Sequence, residues 1–467
     1  MRRARDGSAG RVADGLPVRY VADVVVTMDA GGTVLRPGAV EVLGDRITWV
    51  GPAAAEGCRR AYGRQPIGAP DGGAGADEAE EVVVDGLLMP GLVNTHGHSP
   101  MTLLRGAGDG LPLDRWLREV IWPREARLDP EDVWWGMQLG CAELLRAGVT
   151  TTCEQYLHSR AVVEAAIGSG IRCVCTPGIF DLPDAGPDAT WQRFLEDAGR
   201  LHADFHGRDG RLSLGFGPHA AYTVPAEGLI ATARVAAQLD AIVHIHVAET
   251  RAEAAPIADR HGCSAPELLA RLGVLDCRVL AAHAVWLSDA DLALFESHDV
   301  AVAHCPQSNG KLGSGVAPVA EMLRRGIRVG LGTDGPASND NLDLWEELRL
   351  APILARATLA DAGALGTADA LALATRGGAD ALGVEAGSLE PGRLADLIRL
   401  ELDDPAFVPG LSDGDLLAHL VWAASSRLVT DVWVGGRRVV AGGRCLTVRE
   451  PEARREVAAR ARRLAAA

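Results

Sequence analysis

Lysine is almost missing from this chain of 467 residues: Lys311 is the only one, although arginine is plentiful. Long apolar runs are missing too. None approaches the roughly 18 residues that a membrane-spanning helix requires, so no membrane association is expected. CxxC pairs are absent and the nine cysteines are odd in number, which suits a reducing cytoplasm better than a disulfide framework. Most of these cysteines read as small buried hydrophobes. A basic surface is lacking as well: the net charge of -16 and pI near 5.3 argue against nucleic acid as a partner and favour a small-molecule substrate. The opening MRRARDGSAGRVADG carries arginines with no apolar segment behind them. It reads as a flexible leader, not a secretory signal, and a cytoplasmic location is expected. No repeat of solenoid period is present.

What the chain does have is an ordinary globular composition, 48% hydrophobic and 23% charged, and enough length for a barrel of about 250 residues with an accessory domain. From Pro17 to about Val50 come short β-rich runs (VADVVVTM, GAVEVLG, RITWVG) broken by Gly and Asp, as small antiparallel strands would be. Residues 51–80 are Ala/Gly-rich, acidic and without periodicity, and are expected to form a surface insertion. Eight apolar β-type runs follow: LLMPGLVNTH, GVTTTCEQY, IRCVCTPGIF, LSLGFGPH, AIVHIHVAE, RVLAAH, VAVAHCPQS and IRVGLGTD. Amphipathic helices separate them, among them DPEDVWWGMQLGCAELLRAG and APVAEMLRRG, the latter closed by Gly326. Eight alternating units favour an α/β fold of the (β/α)8 barrel type over an open doubly wound sheet. Short strands return in GRLADLIRLEL and VTDVWVGGRRVVAGG. The expected organisation is a composite β-sandwich domain from 17–86 and 390–448, a barrel from 87–389, and a solvated C-terminal helix from 449–467.

Active sites of such barrels sit at the C-terminal ends of the strands, so polar residues that end these runs take priority. His96 and His98 end the first run, His219 the fourth, His246 and Glu249 the fifth, His283 the sixth, His304 the seventh and Asp334 the eighth. Two histidines separated by one residue project from the same face of a strand and can grip one ion. Three imidazoles and a carboxylate suit Zn²⁺ or Fe²⁺. An HxH alone is weak evidence, but its conjunction with HxxE, further histidines and a terminal TDG is specific.

The motifs THGH (95–98), GFGPHAAYTV (215–224), HIHVAET (244–250), AAH (281–283), AHCPQSN (303–309) and LGTDGPASN (331–339) resemble those of the amidohydrolase superfamily. More narrowly they resemble the branch of 5-methylthioadenosine/S-adenosylhomocysteine deaminases and triazine hydrolases. The likeness runs from about Leu87 to Arg349. It implies one divalent metal ion held by His96, His98, His246 and Asp334, with a position left for a water whose pKa the ion lowers. It further implies that Asp334 accepts the water proton, that Glu249 shuttles a proton to the ring nitrogen, and that His283 holds the attacking oxygen. His219 matches a histidine that contacts the purine or its sugar, and Glu125, in IWPRE, matches a glutamate that accepts from ribose hydroxyls.

The single lysine bears on this resemblance. Two-metal members bridge their ions through a carbamylated lysine on a barrel strand, whereas Lys311 follows a strand-seven loop, so a mononuclear site is expected. The HxE and PCxxC signature of nucleic-acid deaminases is absent. Two departures concern the substrate tail: TPG (176–178) stands where an arginine near Pro177 is expected, and Glu154 and Gln155 replace a more familiar aspartate pattern. Strand alternation is taken to turn His244 away from the metal, and His304 either lines the site or packs. Trp116 and Trp122 stack on a base or pack at the barrel mouth.

The implied activity is hydrolysis of the exocyclic amine of an adenine-type nucleoside (adenosine, 5′-deoxyadenosine, methylthioadenosine or an S-adenosylhomocysteine-like compound) to the inosine-type product and ammonia. The alternatives are a triazine or other heteroaromatic amino- or chlorohydrolase, and a deaminase of a free purine or pterin. A catalytically silent barrel would have lost Glu249 or a metal ligand, and none is missing. A homo-oligomer is compatible with the chain, but no residue pattern specifies one.

Overall fold

Each apolar run ends at a polar residue or tight turn and hands over to a helix, so successive strands are carried back parallel to one another. The computed structural model describes residues 16–53, 79–181, 189–410 and 412–466. The N-terminal leader and most of the 51–80 insertion lie outside the described residues. Among those described, the barrel strands are Leu92–Gly97, Val149–Glu154, Arg172–Cys175, Leu212–Leu214, Val243–Val247, Val279–His283, Ala301–His304 and Val329–Leu331. Two four-stranded parallel halves join through the bridges Phe216↔Val243 and Ala220↔His246, and close through Gly97↔Asp334.

Strand five shows how the pattern sorts its residues. Val243, Ile245 and Val247 join the large apolar core shared with the surrounding helices, so His244 and His246 take the barrel-inward face. The closing seam depends on Gly332. A Cβ there would stand 2.8 Å from His96 Cβ, too close for any side chain. The helix Pro130–Arg146 begins at a capping box in which Asp129 and Asp132 satisfy each other's backbone N–H groups. Gly326, at φ 75°, ends the helix Val319–Arg324 as expected.

Strands from both chain ends make one nine-stranded sheet. Val18–Val26 pairs in parallel with Glu80–Pro90, which pairs antiparallel with Leu397–Leu400, and Val429–Val434 follows. The run LLMPGLVNTH is therefore two elements: Leu87–Pro90 ends a strand of this sheet, and the barrel starts at Leu92. A buried bidentate pair ties the two parts together: Arg172 of barrel strand three meets Asp396 at 2.8 and 3.1 Å, and Asp396 also accepts from the Gly435 N–H at 2.7 Å. The C-terminal helix, Glu450–Ala465, is not simply solvated. It buries Ala453, Val457 and Leu464, and Arg460 bonds Glu131 of the first barrel helix at 2.6 Å.

Candidate metal centre and active-site pocket

The strand ends that carry the polar residues are held in left-handed backbone conformations rare for non-glycine residues. Ala248 has φ 51°, His283 71°, Ala284 50° and Asp334 59°. Such strain persists only where neighbours over-determine it, and it collects at functional sites. At Asp334 the restraint is visible, because its N–H donates to the His96 carbonyl at 3.0 Å across the closing seam.

This backbone brings His96, His98, His246 and Asp334 together. Asp334 Oδ1 lies 3.3 Å from Nε2 of both His96 and His98, and His246 Nε2 lies 3.4 Å from His98 Nε2. Donors about 2.0–2.1 Å from one tetrahedral ion stand about 3.3 Å apart, so these three spacings match those around a single divalent cation. His96 Nε2 is fully buried and makes no hydrogen bond, an arrangement that a cation would satisfy. Nitrogens of His96, His246 and His283 form a second, overlapping triplet within 4.8 Å, so His283 borders the same point.

Each of these candidate ligands is held from behind. His96 Nδ1 meets His244 Nε2 at 2.8 Å, and His244 Nδ1 in turn meets Thr176 Oγ1 at 2.9 Å. His98 Nδ1 donates to the Gln155 carbonyl, and His246 Nδ1 donates to the His219 carbonyl at 2.8 Å. The other oxygen of Asp334 accepts from Ser308 at 2.6 Å and from Ser338 at 2.8 Å. With Nδ1 engaged on every ring, the Nε2 lone pairs face the centre, as metal-ligating histidines require. Burial, reinforced by neighbouring imidazoles, holds His246 well below the usual histidine range, and His96 is lowered to about 4. Burial works to raise the Asp334 carboxyl, but His96, His98 and His283 outweigh it and keep Asp334 ionised.

His244 therefore does not turn away from the metal site. Residues i and i+2 of a strand share a face, so His244 lies one layer deeper than His246 and carries the ring of His96. His304 is buried close to His283 and does not line the pocket.

A cleft opens from this cluster and brings Glu249, His283, His219 and Glu125 around one space. Glu249 is buried, with Oε2 3.7 Å from His283 Nε2. Burial, together with the charge of Asp334, pushes its carboxyl up to about 8. His219 stacks on Phe180 at a centroid distance of 5.0 Å and anchors Nδ1 on Thr223 Oγ1 at 2.9 Å. Glu125 belongs to a helical stretch, Leu113–Glu125, interrupted by a π turn at Leu117–Ile121. An inserted π turn rotates later side chains by roughly 100°, which sets Trp122 and Glu125 on the same face as Leu113, Trp116 and Leu117. Both tryptophans line the cleft. Although Glu125 as a residue is partly exposed, its carboxyl is enclosed, and desolvation raises it to about 7 against the opposing pull of Tyr156.

The two departures at strands two and three separate here. Glu154 turns beneath the THGH turn and accepts from Ser99 N at 2.8 Å, Ser99 Oγ at 2.6 Å and Thr152 Oγ1 at 2.7 Å. It holds the loop and does not line the cleft, whereas Gln155 does. Pro177 lies outside the cleft lining. Sequence reasoning missed His244, Gln155, Ser308, Asn309 and Ser338 as supports. The last three lie inside the recognised motifs, where their hydroxyl and amide groups were the available signal.

The profile of the amidohydrolase family matches residues 87–439. The chain is 40% identical over 423 residues to the 5-methylthioadenosine/S-adenosylhomocysteine deaminase of Moorella thermoacetica, covering 89% of this chain and 93% of that protein. It is 42% identical over 367 residues to the 5′-deoxyadenosine deaminase of Methanothermobacter thermautotrophicus, covering 78% and 84%. An adenosine deaminase from Xanthomonas campestris with bound zinc superposes with a TM-score of 0.87 at 34% identity, over 97% of this chain and 99% of that one. With a matched stretch that spans every barrel strand and the whole His/Asp cluster, the chain belongs to the amidohydrolase family.

Proposed function

We propose that the chain is a zinc-dependent aminohydrolase that acts on the cyclic amidine of an adenine-type nucleoside and releases the inosine-type product and ammonia. One observation carries this reading: a single cleft is lined by His98, His246 and Asp334 of the cluster and by Glu249, together with Glu125, His219 and aromatic side chains. The deaminase relatives, similar over most of their length, point the same way. His96, His98, His246 and Asp334 would hold one divalent ion, which when bound supplies a water acidic enough to react near neutral pH.

The chain's own groups then divide the work. Asp334 takes one proton from the water as its oxygen bonds to the ring carbon that bears the amine. Glu249, protonated because it is buried, gives its proton to the adjacent ring nitrogen. With Nδ1–H donating to Asn309 Oδ1 at 2.9 Å, His283 leaves Nε2 free to accept from the attacking O–H and orient it. As the C–N bond breaks, the proton on Asp334 moves to the departing amine. The remaining O–H proton returns to Glu249, so both carboxyls are restored. Glu125 accepts from the ribose hydroxyls, and His219 presents Nε2 to the purine or sugar.

The same reading takes residues 87–389 as the catalytic barrel, with Leu87–Pro90 shared with the sheet domain of 17–86 and 390–448, and 449–467 as a closing helix. A cytoplasmic setting is supported by eight described cysteines, all free. No described helix is long and apolar enough to cross a membrane. A homo-oligomer is compatible with the reading. A second reading keeps the floor of the site and changes the ring to a triazine or a free purine or pterin; it is favoured by a cleft with no arginine or lysine among its described lining residues. The deciding experiment incubates the zinc-loaded protein with adenosine, 5′-deoxyadenosine, methylthioadenosine, S-adenosylhomocysteine, guanine and a triazine, following ultraviolet change and ammonia. Turnover confined to guanine or the triazine discards the nucleoside reading.

A further inference from the structure

Glu249 leaves strand five on a turn that is fixed from two sides. The residue before it, Ala248, is left-handed at φ 51°, and its carbonyl accepts from the N–H groups of Val285 at 3.1 Å and Trp286 at 2.9 Å. The second restraint is a carboxyl: Glu253 Oε1 accepts from the Glu249 N–H at 3.1 Å. Glu253 stands at the third position of the helix Arg251–His261, whose N-cap residue, Thr250, provides no side-chain cap.

A glutamate at this position commonly reaches back to close the first turn of a helix, and an exposed one would do so at little cost. Glu253 is instead only 9% exposed, and its second oxygen is buried with no hydrogen-bond partner. Burying an incompletely satisfied carboxyl beside another carboxyl is unfavourable, and helix capping alone does not call for it. Burial first, and then the charge of Glu249, raises the Glu253 carboxyl to about 7, with His283 and the backbone N–H groups of Thr250 and Glu249 opposing. Burial, and then the charges of both glutamates, hold the Tyr222 hydroxyl well above its usual range. Glu253 itself does not line the cleft; its hydrogen bond to the Glu249 N–H is its direct link to the chemistry.

We propose that Glu253 is a positioning residue for the proton shuttle: its oxygen holds the Glu249 N–H and thereby fixes where the Glu249 carboxyl stands in the cleft. The inference rests on the assignment of Glu249 as that shuttle.

The test uses the full zinc-loaded chain and the best adenine nucleoside of the panel. Glu253→Ala should lose about 10- to 100-fold in kcat, while KM stays within about threefold and zinc content is unchanged. Glu253→Gln keeps a carbonyl acceptor and should recover most of that loss. Glu253→Asp withdraws the oxygen by one methylene and should behave like the alanine variant. In a Glu249→Gln background the alanine change should cost nothing more, since no shuttle remains to be placed. A folded, metal-loaded Glu253→Ala or Glu253→Asp with wild-type kcat overturns the proposal, even if its Tm has fallen, because that is the behaviour of a helix cap alone. Should the alanine variant fail to fold, Glu253→Asp and Glu253→Gln decide in the same way. A wild-type chain inert on every adenine nucleoside would overturn the deaminase reading and this inference together, whereas an active Glu253→Asp overturns this inference alone.

Discussion

The ring of His244 meets that of His96 edge-on at 89°, with its Nε2 2.8 Å from His96 Nδ1. Thr176 and Cys153 hold the far nitrogen of His244, at 2.9 and 3.5 Å, so His96 Nδ1 is oriented through a ring that is itself anchored. His244→Ala should weaken zinc affinity about 10- to 100-fold without touching any ligand. Competition against a graded chelator would show it, and unchanged affinity would remove His244 from the metal site.

Glu249 and Asp334 should separate metal binding from proton transfer. Glu249→Gln is expected to keep stoichiometric zinc and lose about 10²- to 10⁴-fold in kcat. Asp334→Ala should lose both zinc and activity, because Asp334 Oδ1 stands 3.3 Å from two ligand nitrogens. Zinc analysis beside steady-state rates distinguishes the two, and full activity in Glu249→Gln would refute its role.

Glu125 predicts a pH dependence with a definite sign. Its carboxyl is raised to about 7, so it is ionised above that pH and protonated below it. If Glu125 holds the ribose as proposed, only its carboxylate would accept from both hydroxyls, so KM for adenosine should rise as pH falls through about 7. A 2′,3′-dideoxy analogue should not show this limb, and Glu125→Gln should abolish it for adenosine. A limb that persists in Glu125→Gln belongs to another group.

The charge of the cleft predicts which nucleosides enter. Among its described lining residues are Glu125, Glu249 and Asp334, with no arginine or lysine to meet an anion. Adenosine 5′-monophosphate should therefore be used at least about 100-fold less efficiently than adenosine, the scale of an unpaired buried charge. Comparable kcat/KM values would show that a cation reaches the 5′ end.

Much of the site was legible because it lies at strand ends, where short-range rules apply. The HxH of His96 and His98, and the TDG of Asp334, announce a shared face and a terminal turn within three or four residues. His244 was misjudged although the same i, i+2 rule governs it, since a histidine one layer down is a support and not a bystander. The C-terminal helix was expected in solvent, yet its Ala453, Val457 and Leu464 stripe is covered by a helix more than 300 residues earlier. Nothing local in that stripe names its partner.

By itself the sequence determined the donor chemistry, because three imidazoles and a carboxylate at the ends of β-type runs have few uses besides holding a cation. Only the tertiary structure decided that their atoms meet at 3.3–3.4 Å, since barrel closure joins residues more than 200 positions apart. It also decided that Glu125 reaches the cleft. A regular α-helix would carry Glu125 off the face of Leu113 and Trp116, and the π turn at Leu117–Ile121 supplies the rotation that brings it back.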